Sequence, residues 1–204
     1  MLNRDMMNGS ISVDAIEYFE DYEPDKYSIK DDLDIKIPNV FMHKRILNIG
    51  ARPDQCALRD KFSAARKRGV VVDLLEVFWD YCFDSRMPDY FDNVFNDDIV
   101  TTKLKLSYDV VIFWHGMEHI DRSDFDSVFK KLENMAKRYI VHGVPWGVEI
   151  QNAWRGNEYQ AHKSNIEPKD FQSRGYHVVA RKFKKPTDKP NRDHTGELLC
   201  WKKV

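Results

Sequence analysis

The stretch RILNIGARPD, residues 45–54, decides how the chain is read. A strand-like run, Ile46-Leu47-Asn48-Ile49, ends on Gly50. A strand that turns on glycine is where many α/β proteins meet a phosphate or a nucleoside. No glycine-rich loop follows, because Ala51, Arg52 and Pro53 stand in its place. The turn is therefore either a nucleoside-binding turn of altered chemistry or an ordinary strand end, and the neighbouring segments have to discriminate.

Downstream, apolar periodicity alternates between helix and strand. Leu58, Phe62 and Ala65 share one face of a helix expected over residues 54–67, and Val70-Val71-Val72 is a β-branched strand ending at Asp73. Leu75, Phe78, Trp79 and Cys82 mark a second helix, and a weak strand runs from Asn93 to Asn96. DVVIFW, Asp109 to Trp114, is a continuous apolar run of the kind buried on both faces of a parallel sheet. Ser123 with Asp126 has the form of a capping box before the stripe Phe125, Val128, Phe129, Leu132, Met135 and Ala136. A strand follows over residues 139–144. A short helix over residues 168–174 closes on Gly175, and a strand pair, 176–183 and 197–202, flanks a polar loop over residues 184–195. This order predicts a parallel α/β sheet with a terminal antiparallel hairpin.

At 204 residues the chain has room for one domain with a sizeable core. Residues 1–40, with ten acids against four bases, read as an acidic arm or cap with a helical pattern around Val13 to Tyr22; residues 41–204 form the main domain. A net charge of −1 gives no reason to expect a nucleic-acid partner. Cys56, Cys82 and Cys200 are far apart and in no metal spacing, which fits a reducing compartment. No segment is apolar enough for a membrane span, and MLNRDMMNGS lacks a signal-peptide core, so a cytoplasmic location is expected.

In such sheets ligands bind beyond the carboxyl ends of the strands, where strand order reverses. An acid there, Asp73 first and Glu76 as fallback, accepts from ribose hydroxyls; as a bland alternative Asp73 caps the next helix. Asp97 or Asp98 accepts from an adenine amino group while Ile99 packs on the ring, or the three form a mere polar turn.

In this order the motifs resemble those of class I S-adenosylmethionine-dependent methyltransferases over about residues 45–203. ILNIGARPD is similar to that family's first motif, VVVDLLE to its ribose motif and NDDI to its adenine motif. YDVVIFWHGMEHI resembles its fourth-strand motif with the frequent Glu-His pair, YIVHGVPWG its fifth strand, and HKSNIEPKDFQSRGY its late helix and turn. The resemblance implies a Rossmann-like, doubly wound sheet in the order 3-2-1-4-5-7-6. It implies S-adenosylmethionine as cofactor, held by Asn48, Gly50, Ala51, Arg52, Asp73, Leu74, Asp97, Asp98, Ile99, Trp114, His115 and Glu118. Methyl transfer would go to an oxygen or nitrogen of a small polar, possibly sugar-like acceptor. The first motif departs from the family: Asn48 stands where an acid is usual, Ala51 and Arg52 replace small residues, and Asp54 takes a later glycine place. Arg52 is then a candidate partner for the methionine carboxylate.

Residues 146–167 are long for a strand-to-helix connection and read as a lid. Its Trp146, Trp154, Asn157 and Tyr159 suit recognition of a polar ring, or merely pack the loop down. His119 and His162 are the candidate bases. His115 to His119 also spells H-x-x-E-H, a metalloprotease signature that would make the chain a zinc hydrolase. The glycine within it and the strand it abuts argue against a mid-helix zinc site, so no metal is expected. A non-catalytic nucleoside-binding or regulatory protein on a decayed methyltransferase fold remains the other alternative.

Overall fold

A computed structural model of the chain describes residues 16–22, 29–54, 56–105, 107–183 and 192–204. One sheet holds β1 (Ile16–Tyr22), β2 (Arg45–Ile49), β3 (Val71–Glu76), β4 (Asn93–Asn96), β5 (Tyr108–Trp114), β6 (Ala136–Glu149), β7 (His177–Phe183) and β8 (Arg192–Lys203). Their order is β1-β7-β8-β6-β5-β2-β3-β4. Counted from the Arg45 strand, this is the expected 3-2-1-4-5-7-6 with β1 added beside β7. β8 runs antiparallel to β6 and β7, and the other pairings are parallel.

The helices are α1 (Ile29–Lys36), α2 (Arg59–Lys67), α3 (Trp79–Cys82), α4 (Met87–Tyr90), α5 (Phe125–Met135) and α6 (Pro168–Gln172). They cover both faces of the sheet. Val110 and Ile112 of β5 join the layer containing Ile29 and Leu33 of α1 and Phe62 and Ala65 of α2. Val111 and Phe113 join the opposite layer, with Phe125, Val128, Phe129 and Leu132 of α5 and Phe171 of α6. With apolar layers on both sides, β5 needs no polar face, which is why its sequence is continuously hydrophobic. The apolar residues of α5 recur every three or four positions and all of them are buried. Among the described residues no helix is long and apolar enough to cross a membrane.

Several elements differ from the sequence reading. The helical pattern over 13–22 is a strand where it is described, from Ile16, and residues 13–15 lie outside the described residues. Ile16, Tyr18 and Phe19 are β-branched or aromatic, and the open edge of β7 offers the backbone a ladder of partners. β3 runs on through Glu76, paired with Asn96 of β4, so the helix expected from Leu75 shrinks to the single turn of α3. β6 extends to Glu149 because β8 pairs with it all the way to Arg192; the first residues of the expected lid are therefore strand. Of the loop expected over 184–195, residues 184–191 lie outside the described residues and the rest is the start of β8. The capping box forms at α6, between Glu167 and Asp170, whereas α5 starts at Asp124 without a side-chain cap bond. Within the acidic segment, α1 is anchored by the buried Asp32, whose carboxylate accepts from Arg181 Nε at 2.9 Å.

Candidate active site

The order of the strands reverses between β2 and β5. A cleft of about 700 Å3 opens at the carboxyl ends of β2, β3, β4 and β5, as expected at such a switch point. It is walled by Asn48 to Arg52, by Glu76, by Asp97 to Ile99, and by Trp114, His115, Glu118 and His119, with Tyr159 and His162 added from the segment after β6.

The glycine turn is built by the residues that depart from the family motif. Gly50 has φ of 70°, a left-handed conformation that favours glycine, and its N–H donates to Leu75 O at 2.8 Å. Asn48 Nδ2 donates to Gly50 O at 2.8 Å, so the amide that replaces an acid braces the turn from within. Arg52 Nε donates to Asp54 Oδ1 at 2.8 Å, and its guanidinium carbon lies 5.9 Å from the Trp154 ring centroid. Asp54, in the place of a glycine, thus holds the guanidinium that was expected to meet a carboxylate.

Asp73, the first choice of ribose acceptor from the sequence, lies away from the cleft. β3 continues three residues past it, so the side chain is fully buried inside the sheet, and it does not line the cleft. Its carboxylate accepts from Tyr108 Oη at 2.7 Å, Asn93 Nδ2 at 2.8 Å and Arg45 Nη2 at 3.4 Å. Leu74, also assigned to the cofactor, is core in the layer under α2. Glu76, the fallback, ends β3 at the cleft wall. Its Oε2 accepts from Ala51 N and its Oε1 from Phe78 N, each at 2.8 Å. This carboxylate therefore ties the first turn to the end of β3 and keeps lone pairs for a ligand. Burial pushes its pKa up to about 7, against the opposing pull of the Ala51, Phe78 and Val77 amides.

Beyond β4, Asp97 accepts from Asp98 N at 2.8 Å and from Thr102 Oγ1 at 2.6 Å, and Asp98 accepts from Val100 N at 2.8 Å. The two acids shape the turn while both face the cleft, and Lys131 Nζ donates to Ile99 O at 3.2 Å, fixing that edge to α5. Ile99 supplies a nearly buried apolar wall.

At the end of β5, Trp114 packs over Gly143 so closely that a Cβ there would lie 2.4 Å from the indole. His115 follows in the left-handed region at φ of 48°, its N–H held by Gly143 O at 2.7 Å. Met117 to His119 form one 3-10 turn, so the helical face needed by an H-x-x-E-H zinc site does not exist. His115 Nδ1 instead lies 3.4 Å from Glu118 Oε1. His119 Nδ1 lies 3.1 Å from Ala161 O, a contact that puts the proton on Nδ1 and leaves the Nε2 lone pair available. Burial holds His119 below the ordinary histidine value, so the ring is neutral at pH 7. The rings of His119 and His162 meet edge to face at 4.8 Å.

The segment that follows β6 is stitched to that turn. Lys163 N and Ser164 N donate to Glu118 O at 2.8 and 3.1 Å, and Ser164 Oγ donates to Ile120 O at 2.7 Å. Of the four lid residues assigned to the acceptor, Tyr159 reaches the cleft and the other three do not line it. Trp146 donates to Glu167 at 3.1 Å and packs on Tyr18, and Trp154 is exposed beside Arg52. Asn157 is buried and accepts from Tyr159 N at 2.9 Å, capping the turn that carries Tyr159. The structure adds Gln151 and Lys163 to the cleft. Nothing in their sequence context marks them, since each depends on how the loop folds back.

The sheet order and the place of the cleft define a Rossmann-like methyltransferase fold of class I. Solved structures agree. A S-adenosylmethionine-dependent methyltransferase from Clostridium acetobutylicum matches with a TM-score of 0.57 at 12% identity, over 90% of this chain and 93% of that one. A SAM-dependent methyltransferase from Archaeoglobus fulgidus matches with a TM-score of 0.56 at 17% identity, over 86% and 93%. DhpI in complex with SAH matches with a TM-score of 0.55 at 11% identity, over 85% and 86%. At these identities the likeness is one of fold. No protein-family model matches the chain, and no curated protein matches it.

Proposed function

We propose that the chain transfers a methyl group from S-adenosylmethionine to an oxygen or nitrogen of a small polar acceptor. The observation that carries this reading is the meeting, in one cleft at the switch point, of the Gly50 turn, the Glu76 carboxylate and the Asp97–Ile99 edge. When bound, S-adenosylmethionine supplies an electrophilic methyl carbon on a sulfonium.

The residues of the chain fit that cofactor. Glu76 has lone pairs for the ribose hydroxyls beyond the two amides it accepts from. Asp97 or Asp98 accepts from the adenine amino group while Ile99 packs on the ring. Gly50, lacking a side chain, lets the ligand approach the backbone. At the other end, Tyr159 and the lid exclude water and orient the acceptor, which is the main contribution a protein makes to an in-line displacement. The contact of the His119 and His162 rings in the cleft supports His119 Nε2 as the base for an acceptor hydroxyl or ammonium.

Calorimetric titration with S-adenosylhomocysteine tests the cofactor site. The expected dissociation constant is micromolar, about −8 kcal/mol. No heat at millimolar ligand would remove the methyltransferase reading. Transfer of label from methyl-labelled S-adenosylmethionine to a panel of hydroxyl and amine compounds then tests the acceptor class. The altered first motif favours one other reading, a binding protein without catalysis, because Asn48 Nδ2 and Asp54 Oδ1 are engaged within the protein. That reading calls for tight S-adenosylhomocysteine binding with no label transferred to any compound.

A further inference from the structure

We infer that Glu118, His119 and His162 form a binding site for one divalent transition-metal cation at the acceptor end of the cleft. Each offers one ligand atom, and these atoms all lie within 4.8 Å of one another. Ligands of a tetrahedral ion with bonds of about 2.1 Å lie about 3.4 Å apart, so the three atoms stand close to a ligating arrangement.

Three further features point to a cation. Glu118 is fully buried and its Oε2 has no hydrogen-bond partner among the described residues. A bare carboxylate oxygen in such a place costs free energy unless something positive meets it. His119 is oriented by Ala161 O on its Nδ1 side, the kind of outer contact that fixes the tautomer and aims a ligating Nε2. His115 holds the other oxygen of Glu118 from a left-handed backbone conformation that a non-glycine residue adopts at a cost. The last point explains the H-x-x-E-H spacing differently from the helical motif. His115 positions the carboxylate, and the second imidazole comes from the lid.

Two imidazoles and one carboxylate select zinc, cobalt, manganese or iron over calcium or magnesium, which prefer oxygen donors throughout. Three protein ligands would leave further positions open, and because Glu118, His119 and His162 all line the cleft, water or an oxygen-bearing acceptor could reach them. With an ion in place, the histidine lone pairs serve the ion. An acceptor hydroxyl bound to the ion would then lose its proton more readily, to solvent water rather than to His119, a consequence that rests on the methyl-transfer reading. The site itself does not rest on that reading.

The test is a titration of the chelator-treated full chain with cobalt(II) and with zinc, without cofactor. One equivalent is expected to bind with a micromolar or lower dissociation constant, with a visible spectrum for cobalt that reports imidazole ligation. His162→Ala, in a loop, is expected to weaken binding about 100-fold or more at an unchanged melting temperature. Glu118→Gln should do the same, and His115→Ala should weaken binding about 10- to 100-fold, as for a lost orienting contact. Wild-type binding no tighter than millimolar, or stoichiometric binding that survives His162→Ala, would overturn the proposal. Because Glu118 is buried its variant risks misfolding, and the His162 variant decides the matter alone. Titration of the same sample with S-adenosylhomocysteine keeps the two questions apart, since either ligand can bind without the other.

Discussion

Glu76→Ala will weaken S-adenosylhomocysteine binding by about 10- to 100-fold, the loss expected when a charged acceptor for buried hydroxyls is removed. The effect will depend on pH, because Glu76 carries a pKa raised from 4.5 to about 7 by burial. On the proposed reading, ribose hydroxyls donate to the ionised carboxylate. Wild-type affinity should therefore tighten by about tenfold between pH 6 and pH 8, and Glu76→Gln should abolish that dependence. Stability moves the opposite way. In the free protein the folded state keeps the Glu76 proton up to about pH 7, whereas the unfolded chain releases it near 4.5. The stabilising contribution is complete below the unfolded value and is lost as pH rises through the folded one, about 3 kcal/mol in all. Melting curves at pH 5 and pH 8 should show this loss in the wild type and a flatter profile in Glu76→Gln. Calorimetry with a pH-independent affinity in the wild type would remove Glu76 from the ribose site.

Asp73→Ala will do the reverse, costing stability and sparing affinity. Its carboxylate holds the hydroxyl of Tyr108, a residue only 1% exposed, along with Asn93 and Arg45. Burial, and then the bond to Asp73, push the Tyr108 phenol well above its ordinary value, so it remains a donor. Removing the acceptor leaves that buried donor without a partner and breaks a charge-assisted contact to Arg45. A loss of about 3 kcal/mol follows, or about 6–12 °C in melting temperature for a chain of this size. S-adenosylhomocysteine affinity of the folded variant should stay within about twofold of wild type. An affinity loss as large as that of Glu76→Ala would return the ribose site to Asp73.

The contrast between these two acids shows where the sequence is readable. Strand existence and order follow from apolar periodicity, and the burial of β5 on both faces is written in DVVIFW. Where a strand stops is not so written. VVVDLLE offers two acids, and only the pairing of Leu75 with Ile49 and of Glu76 with Asn96 shows that the strand reaches the second. The first motif was legible as a turn, yet the roles of its residues were not. Whether Asn48 faces a ligand or its own backbone depends on a side-chain rotamer. His119 was visible beside the fourth strand, but its meeting with His162 depends on how a loop of more than a dozen residues folds back onto Glu118 O and Ile120 O. Long-range closure of that kind leaves no periodic trace. β1 was misread for a related reason: a short strand that exists because one neighbour's edge is open has little local signal of its own.

That added strand bears on how the protein behaves in concentrated solution. Without it, β7 would present a row of unpaired amides and carbonyls, a template for edge-to-edge pairing between copies. β1 takes up that row in parallel pairing from Ile16 opposite Val178 to Phe19 opposite Arg181, then shifts register before Tyr22 meets Phe183. The strand is itself tied down, since Glu17 pairs with Lys36 of α1. A chain shortened by its first 22 residues should therefore self-associate as concentration rises, seen as growth in light scattering, while the intact chain stays dispersed. By that outcome the first strand, in covering β7, is a guard against aggregation.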